Sequence, residues 1–358
     1  MPESQHPKVT IDTSTIVRFL LWSGFAILLF YLRSILFIVL AAIVISSAVE
    51  PGVRFFVKRR IPRVFSVVII YFVMIALALS IFVGVLPSLL TEMSGVVANI
   101  PTYLGQLNDI IPLLDESILQ GYVPIVSEIA ANISNPSFLA AVNTSISGVS
   151  GTVFTNVGVI ISNLLNFILI FVLSFYFSVT EDGVGNFLRI VTPIRYEGYV
   201  SGLWKRTKEK IGSWMQGQLL LAVLVGLMVY LGLLLGGVKH ALLLAFLAAI
   251  FELIPVFGPV LAAIPAIVLT LLDRGLVGGL GVFLWYLLVQ QFENHLFYPL
   301  VVRKIVGISP LLVILALVIG GKLGGILGVI LSVPASVLLV EFLDDVDKRK
   351  AELRQPKA

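Results

Sequence analysis

Glu252-Leu253-Ile254-Pro255-Val256-Phe257-Gly258-Pro259 interrupts an apolar run, Ala241–Leu272, near its middle. Proline lacks a backbone N–H and its ring clashes with the preceding helical turn, so two prolines with a glycine between them unwind a helix here. Unwound backbone at membrane depth is tolerated only where protein buries it or where it lines an aqueous cavity. Half-helix ends at such breaks present bare N–H and C=O groups, and secondary transporters build substrate and ion sites from them.

A second interruption follows, at Gly320-Gly321-Lys322-Leu323-Gly324-Gly325, with Gly328 and Pro334 beyond it. Gly320, Gly324 and Gly328 fall four apart and present a small-residue face for close helix packing. Tight packing and a flexible hairpin tip both fit this pattern. Gly278, Gly279 and Gly281 also point to closely approaching helices. If Ala241–Leu272 and Leu311–Phe342 are re-entrant hairpins, Asp273-Arg274 lies outside and Arg303-Lys304 inside; if both cross, the sides exchange. The Lys/Arg count separates the two by one residue, so both remain open.

A spanning helix needs about 20 apolar residues. Moving out from the breaks, the candidates are Ile16–Leu32, Ser34–Val49, Val64–Leu90, Gly151–Val179, Trp214–Leu235, the two broken regions, and Leu276–Phe297 between them. The first two, divided by Arg33, form either one long broken pair or a tight hairpin. No small-residue cleavage site separates them, so the start does not resemble a cleaved signal peptide. The expected fold is an all-α polytopic membrane protein of about eight hydrophobic segments, two of them broken. Composition agrees: of 358 residues, 58% are hydrophobic and 12% charged, with mean hydropathy +1.06. Soluble domains carry about 25% charged residues, so soluble enzymes, disordered tails and nucleic-acid binders are all disfavoured. No cysteine is present.

Lys and Arg concentrate in cytoplasmic loops. Arg54, Lys58, Arg59, Arg60 and Arg63 mark one, Glu181–Gly212 a second, and the tail from Asp344 a third. Thr91–Ser150 holds no Lys or Arg and is expected outside. Two runs before the first basic loop then put the N-terminus inside with the C-terminus, in a prokaryotic inner membrane. Helically spaced Met93, Val96, Val97, Ile100, Leu104, Leu107 and Ile111 predict amphipathic outer helices. Pro101 and Pro112 should break or kink them, and Asn135-Pro136 reads as a helix start. Two glycosylation sequons, at Asn132 and Asn143, are too short to weigh. Arg195–Gln216, basic on one side and aromatic or aliphatic on the other, predicts a helix in the membrane interface or an arm coupling a scaffold to a mobile part. The resulting divisions are 1–90, 91–150, 151–212, 213–343 and 344–358.

Charge at mid-bilayer costs about 2.5–3.5 kcal/mol, so ionisable groups there pair with one another or face a cavity. Glu252 sits beside the first break. Gln290, Gln291, Glu293, Asn294 and His295 cluster after it, and Lys322 lies in the glycine break. Gln290 and Glu293 share a face at i, i+3, as do Gln291 and His295 at i, i+4. Glu293 and His295 do not face each other, which argues against a metal site, and no cofactor is expected. Arg18 reads as a snorkelling residue and His240 as interfacial. Lys322 is not followed by Ser or Thr, so the segment is not a phosphate-binding loop. No nucleophile–base or zinc-hydrolase pattern occurs.

Several of these pieces together resemble the autoinducer-2 exporter family, the PerM-like permeases. They are Glu252-x-Ile-Pro255-x-x-Gly258-Pro259, Gln291-x-Glu293 with Pro299, Gly307-x-x-Pro310, and the glycine run from Gly324 to Pro334. Phe175-Tyr176-Phe177 with Asp182, and Ile61-Pro62-Arg63, fit the same pattern, although Thr180-Glu181 stands where the family usually has Lys before the acid. The resemblance runs from about Arg18 to Glu341. It implies a multi-span secondary transporter, an oligomer with a pentamer as one candidate form, and export of a small polar solute such as autoinducer-2. Some relatives resemble sodium/proton antiporters. On this expectation the candidate site is Glu252, Pro255, Gly258, Pro259, Gln290, Gln291, Glu293, Lys322 and Gly324. The acids would bind a coupling H+ or Na+, and Gln291 with the bare backbone would hold the solute. A sodium/proton antiporter and a non-transporting membrane scaffold are the alternatives.

Overall fold

The computed structural model describes residues 13–110, 157–297, 299 and 309–354. All the elements among them are helical: α1 (Thr13–Tyr31), α2 (Arg33–Lys58), α3 (Arg63–Gly84), α4 (Leu86–Ile110), α5 (Val157–Val179), α6 (Gly183–Val191), α7 (Ile194–Leu235), α8 (Ala241–Phe251), α9 (Gly258–Phe292), a π turn (Glu293–Phe297) and α10 (Pro310–Arg354). Five helices are long and apolar enough to cross a membrane, or six if α5 and α6, bent by 84° at a short break, count as one span. The chain is a multi-pass membrane protein. The outer segment beyond Ile110, both sequons, Arg303-Lys304 and the Arg18 side chain fall outside the described residues.

Helical hydrogen bonds continue across Leu32, from its N–H to Leu28 (2.9 Å) and from Leu36 N–H to Leu32 (3.0 Å). No proline or glycine lies at the junction to turn the chain. The first two runs therefore meet end to end and do not pack as a tight hairpin. The N-terminal placement argued from two antiparallel crossings loses its support. Helix α4 passes through Pro101 without ending there.

Helix α7 is a single 42-residue helix, about 63 Å at 1.5 Å per residue. The basic stretch Arg195–Gln216 thus runs straight into the following span. Gly212 is where α2 comes closest: a Cβ there would stand 2.9 Å from the Ser47 carbonyl carbon. At the end rich in basic residues, Arg206 and Lys210 of α7 both donate to Glu341 of α10, tying the two helices together. Nearby, Arg63 donates to both oxygens of buried Glu50 (3.2 and 2.7 Å) and to the Ser178 carbonyl (3.0 Å), joining α2, α3 and α5. Apolar packing continues this contact, with Val53, Val67 and Tyr71 against Phe171 and Phe175.

Both interrupted regions fold into hairpins. Helix α8 has 11 residues, about 16 Å, against the roughly 30 Å of a hydrocarbon core. The chain turns at Glu252–Phe257 and comes back along the first part of α9, which ends at Gly275 (φ +70°). Lys239 donates to Asp273, and Arg274 donates to the Gly236 and Gly237 carbonyls. Those bonds put both mouths of the hairpin at one end of the molecule, the re-entrant alternative. The second part of α9 then returns toward the basic end. Helix α10 reverses at Gly325 (φ +58°), and Gly320 and Gly328 stand face to face across its arms: a Cβ on Gly328 would lie 2.8 Å from the Gly320 carbonyl carbon.

Candidate functional site

The first hairpin holds its tip open by a specific loss of helical bonding. A continuous helix would satisfy the Glu252 carbonyl with the Val256 N–H. Val256 instead has φ +72°, a conformation that costs a β-branched residue of order 1–3 kcal/mol. The Glu252 carbonyl accepts from Nε2 of Gln218, a buried amide on α7. Pro255 has no N–H for the Phe251 carbonyl, which accepts from Ile254 N–H (2.8 Å). Gly258 packs on that same peptide, where a Cβ would come within 2.6 Å of the Phe251 carbonyl carbon. Pro259 occupies the first turn of the returning helix, where the missing N–H costs nothing. At the far end Glu92 of α4 accepts from the Leu243 N–H (2.9 Å) and caps α8, a favourable place for an anion.

Two acids of the site are buried. Glu252, at the break, is 3% exposed and Glu293, at the end of α9, is 8% exposed. Glu293 opens the π turn at the end of α9, a wide helical turn of the kind that often marks function. Its carboxylate accepts from Gln290 Nε2 (3.2 Å). Oε2 of Glu252 is buried with no hydrogen-bond partner among the described residues, and no ion pair there involves either acid. Two buried carboxyl groups without an ion-pair partner are poorly solvated when charged. A bound cation or a proton relieves that penalty.

The structure brings together Glu252, Pro255, Gly258, Pro259, Gln290 and Glu293. Gln291 is exposed, and its carbonyl contacts His295 Nδ1 (3.1 Å). Lys322 and Gly324 sit at the tip of the second hairpin, Lys322 exposed and Gly324 against the Phe37 ring of α2. Two residues join the site without a sequence motif. Gln218 is one, and depth in an apolar run was its only signal. Tyr286 is the other: it is buried in the cluster formed by α7, α8 and α9, with a hydroxyl that has no partner among the described residues.

A profile of AI-2E family transporters matches residues 19–348. The chain belongs to the AI-2E transporter family. Among proteins similar to this AI-2E member, YueF of Bacillus subtilis is 29% identical over 91% of the chain and 87% of YueF. YrrI of the same organism is 24% identical over 90% of each. The AI-2 transport protein TqsA of Escherichia coli is 25% identical over 83% of the chain and 82% of TqsA. The AI-2E match reaches from α1 into the last turns of α10, so both hairpins lie inside it. This AI-2E family chain is a membrane transporter.

Proposed function

We propose that the protein is a secondary exporter of a small polar solute, with Glu252 and Glu293 holding the coupling H+ or Na+. The observation that carries this is two buried acids, Glu252 and Glu293, with no ion-pair partner among the described residues, beside a broken re-entrant hairpin. Such a pair takes up a cation in one conformation and releases it in another. The charged state is costly when dry, so ion occupancy and hairpin position are linked. The Lys/Arg excess supports a cytoplasmic basic end, with the C-terminal tail, in a prokaryotic inner membrane. The name carried by TqsA makes autoinducer-2 the first solute to try. Exposed apolar side chains along α3, whose span is only 11% buried, suit lipid or a second copy in a homo-oligomer.

The test is flux into or out of proteoliposomes under imposed pH and sodium gradients. Glu252→Gln should abolish gradient-driven autoinducer-2 movement while the protein stays monodisperse. Wild-type flux from that variant would refute the role given to Glu252.

A sodium/proton antiporter on the same scaffold is the second reading. It is favoured by a tip that gathers two acids and few groups suited to an organic solute. A luminal pH dye separates the two: sodium alone drives proton movement in an antiporter, whereas an exporter needs solute as well.

A further inference from the structure

A half-open cavity lies away from the acid pair, at the basic end between α2, the α5–α6 corner and α7. Its volume is about 540 Å³, within the roughly 300–1,000 Å³ of small-molecule sites. Its α7 wall carries Lys205, Lys208 and Glu209, its corner carries Glu181 and Asp182, and Arg54 projects from α2. Successive helical residues turn by about 100°, so Lys205, Lys208, Glu209 and Gly212 share one face of α7. Gln218 falls on the opposite face, with Thr207, Ile211 and Trp214. The helix therefore stands between this cavity and the tip of the first hairpin.

Glu50 at the cavity's floor is taken by Arg63 and Arg54, and the charge of Lys208 also acts on it. Lys205, Glu181, Asp182 and Glu209 are exposed, and neither they nor Lys208 make an ion pair among the described residues. A narrow cleft continues from the cavity past Ser47, Asp182 and Lys208 to Trp204, with about 10 Å³ of free space, close to what one water needs. The Trp204 indole N–H is buried there without an acceptor. Lysines thus dominate one wall, with Glu209 offsetting part of their charge, and two carboxylates form the facing corner, yet the walls do not pair with each other. A ligand of one sign would be drawn to one wall and repelled by the other. A ligand with both signs satisfies both, through charge-assisted hydrogen bonds.

We propose that this cavity binds a small zwitterion. Its oxyanion, a carboxylate or phosphate, lies on Lys205 and Lys208, and its ammonium group lies on Glu181 and Asp182. The site is independent of the ion site assigned to Glu252 and Glu293. The same chemistry occurs in a free amino-phosphate and in an ethanolamine lipid headgroup at the membrane surface.

Calorimetric titration of the purified full-length protein in phosphatidylglycerol nanodiscs tests the proposal, with O-phosphoethanolamine, inorganic phosphate and ethanolamine as probes. Phosphoethanolamine should bind at least tenfold more tightly than either half. Asp182→Asn and Lys208→Gln should each weaken it at least tenfold, and Glu252→Gln should leave it unchanged. Lys205→Gln, at an exposed position, serves if either of the first two variants fails to fold, with the same expected loss. Phosphate binding as tightly as phosphoethanolamine, no binding at all, or undiminished affinity in the variants would overturn the proposal. Repeating the titration in phosphatidylethanolamine discs identifies the source: competition assigns the site to a headgroup, and its absence assigns it to a free solute.

Discussion

Gly258→Ala probes how closely the broken hairpin is built. The added Cβ would stand 2.6 Å from the Phe251 carbonyl carbon and 3.1 Å from the Glu252 nitrogen. Carbon atoms in contact prefer about 3.5–4.0 Å, so the break must open by about 1 Å. Forcing a methyl into packed structure costs about 1–3 kcal/mol. The atoms that have to move belong to the peptide carrying Glu252, so the strain is relieved by shifting that acid relative to Glu293. Gly275→Ala is the control. Its φ of +70° with ψ of −169° and the absence of any neighbour within 4 Å confine the penalty to backbone strain in a region almost exclusive to glycine, of order 1–3 kcal/mol, at the mouth of the hairpin. Thermal inactivation in detergent should show comparable losses for the two variants. Gradient-driven flux should fall roughly 5- to 150-fold in Gly258→Ala alone, the size that 1–3 kcal/mol at the site translates to. Equal flux from the two variants would show that the close approach at Gly258 does not position Glu252.

Two further outcomes follow from the packing. Arg63→Gln leaves buried Glu50 with only the half-exposed Arg54, and should destabilise the protein by about 3 kcal/mol, the range for a buried pair that loses one partner. Glu50→Gln with Arg63→Gln should recover most of that in a thermostability assay, and a double variant no better than the single would disprove the pairing. Lys239→Cys with Asp273→Cys, in a chain with no native cysteine, should be joined by a short bifunctional thiol reagent that spans the gap the Lys–Asp side chains bridge, and leave the protein monodisperse. Failure to cross-link would argue against both mouths of the first hairpin lying at one end.

Much of this arrangement was legible in the sequence because lipid leaves few choices. Proline and glycine at Pro255, Gly258 and Pro259 could only break a helix, and Gln290 and Glu293 at i, i+3 could only share a face; the structure joins them by a hydrogen bond. What the sequence left open depended on pairing across long separations. Nothing local to Gln218 says that it substitutes for the Val256 N–H. The two hairpin topologies differed by a single basic residue until Lys239 met Asp273. Lys322 looked like a buried charge because apolar residues surround it in sequence, yet it sits at a hairpin tip where no other part of the protein covers it. Arg63, read simply as part of a basic loop, pairs with the buried Glu50, because the loop folds back onto α5.

In this conformation the acid pair is shut away from solvent, and a carrier must open it to each side in turn. Leu253→Cys and Ile254→Cys place thiols beside Glu252 without removing it, on a cysteine-free background. The direct measurement is their labelling by a charged, membrane-impermeant thiol reagent applied to one face of sealed proteoliposomes under opposing ion gradients. The account predicts labelling from one face under one gradient and from the other face when the gradient is reversed. Thiols that stay unreactive from both faces under every gradient would contradict it.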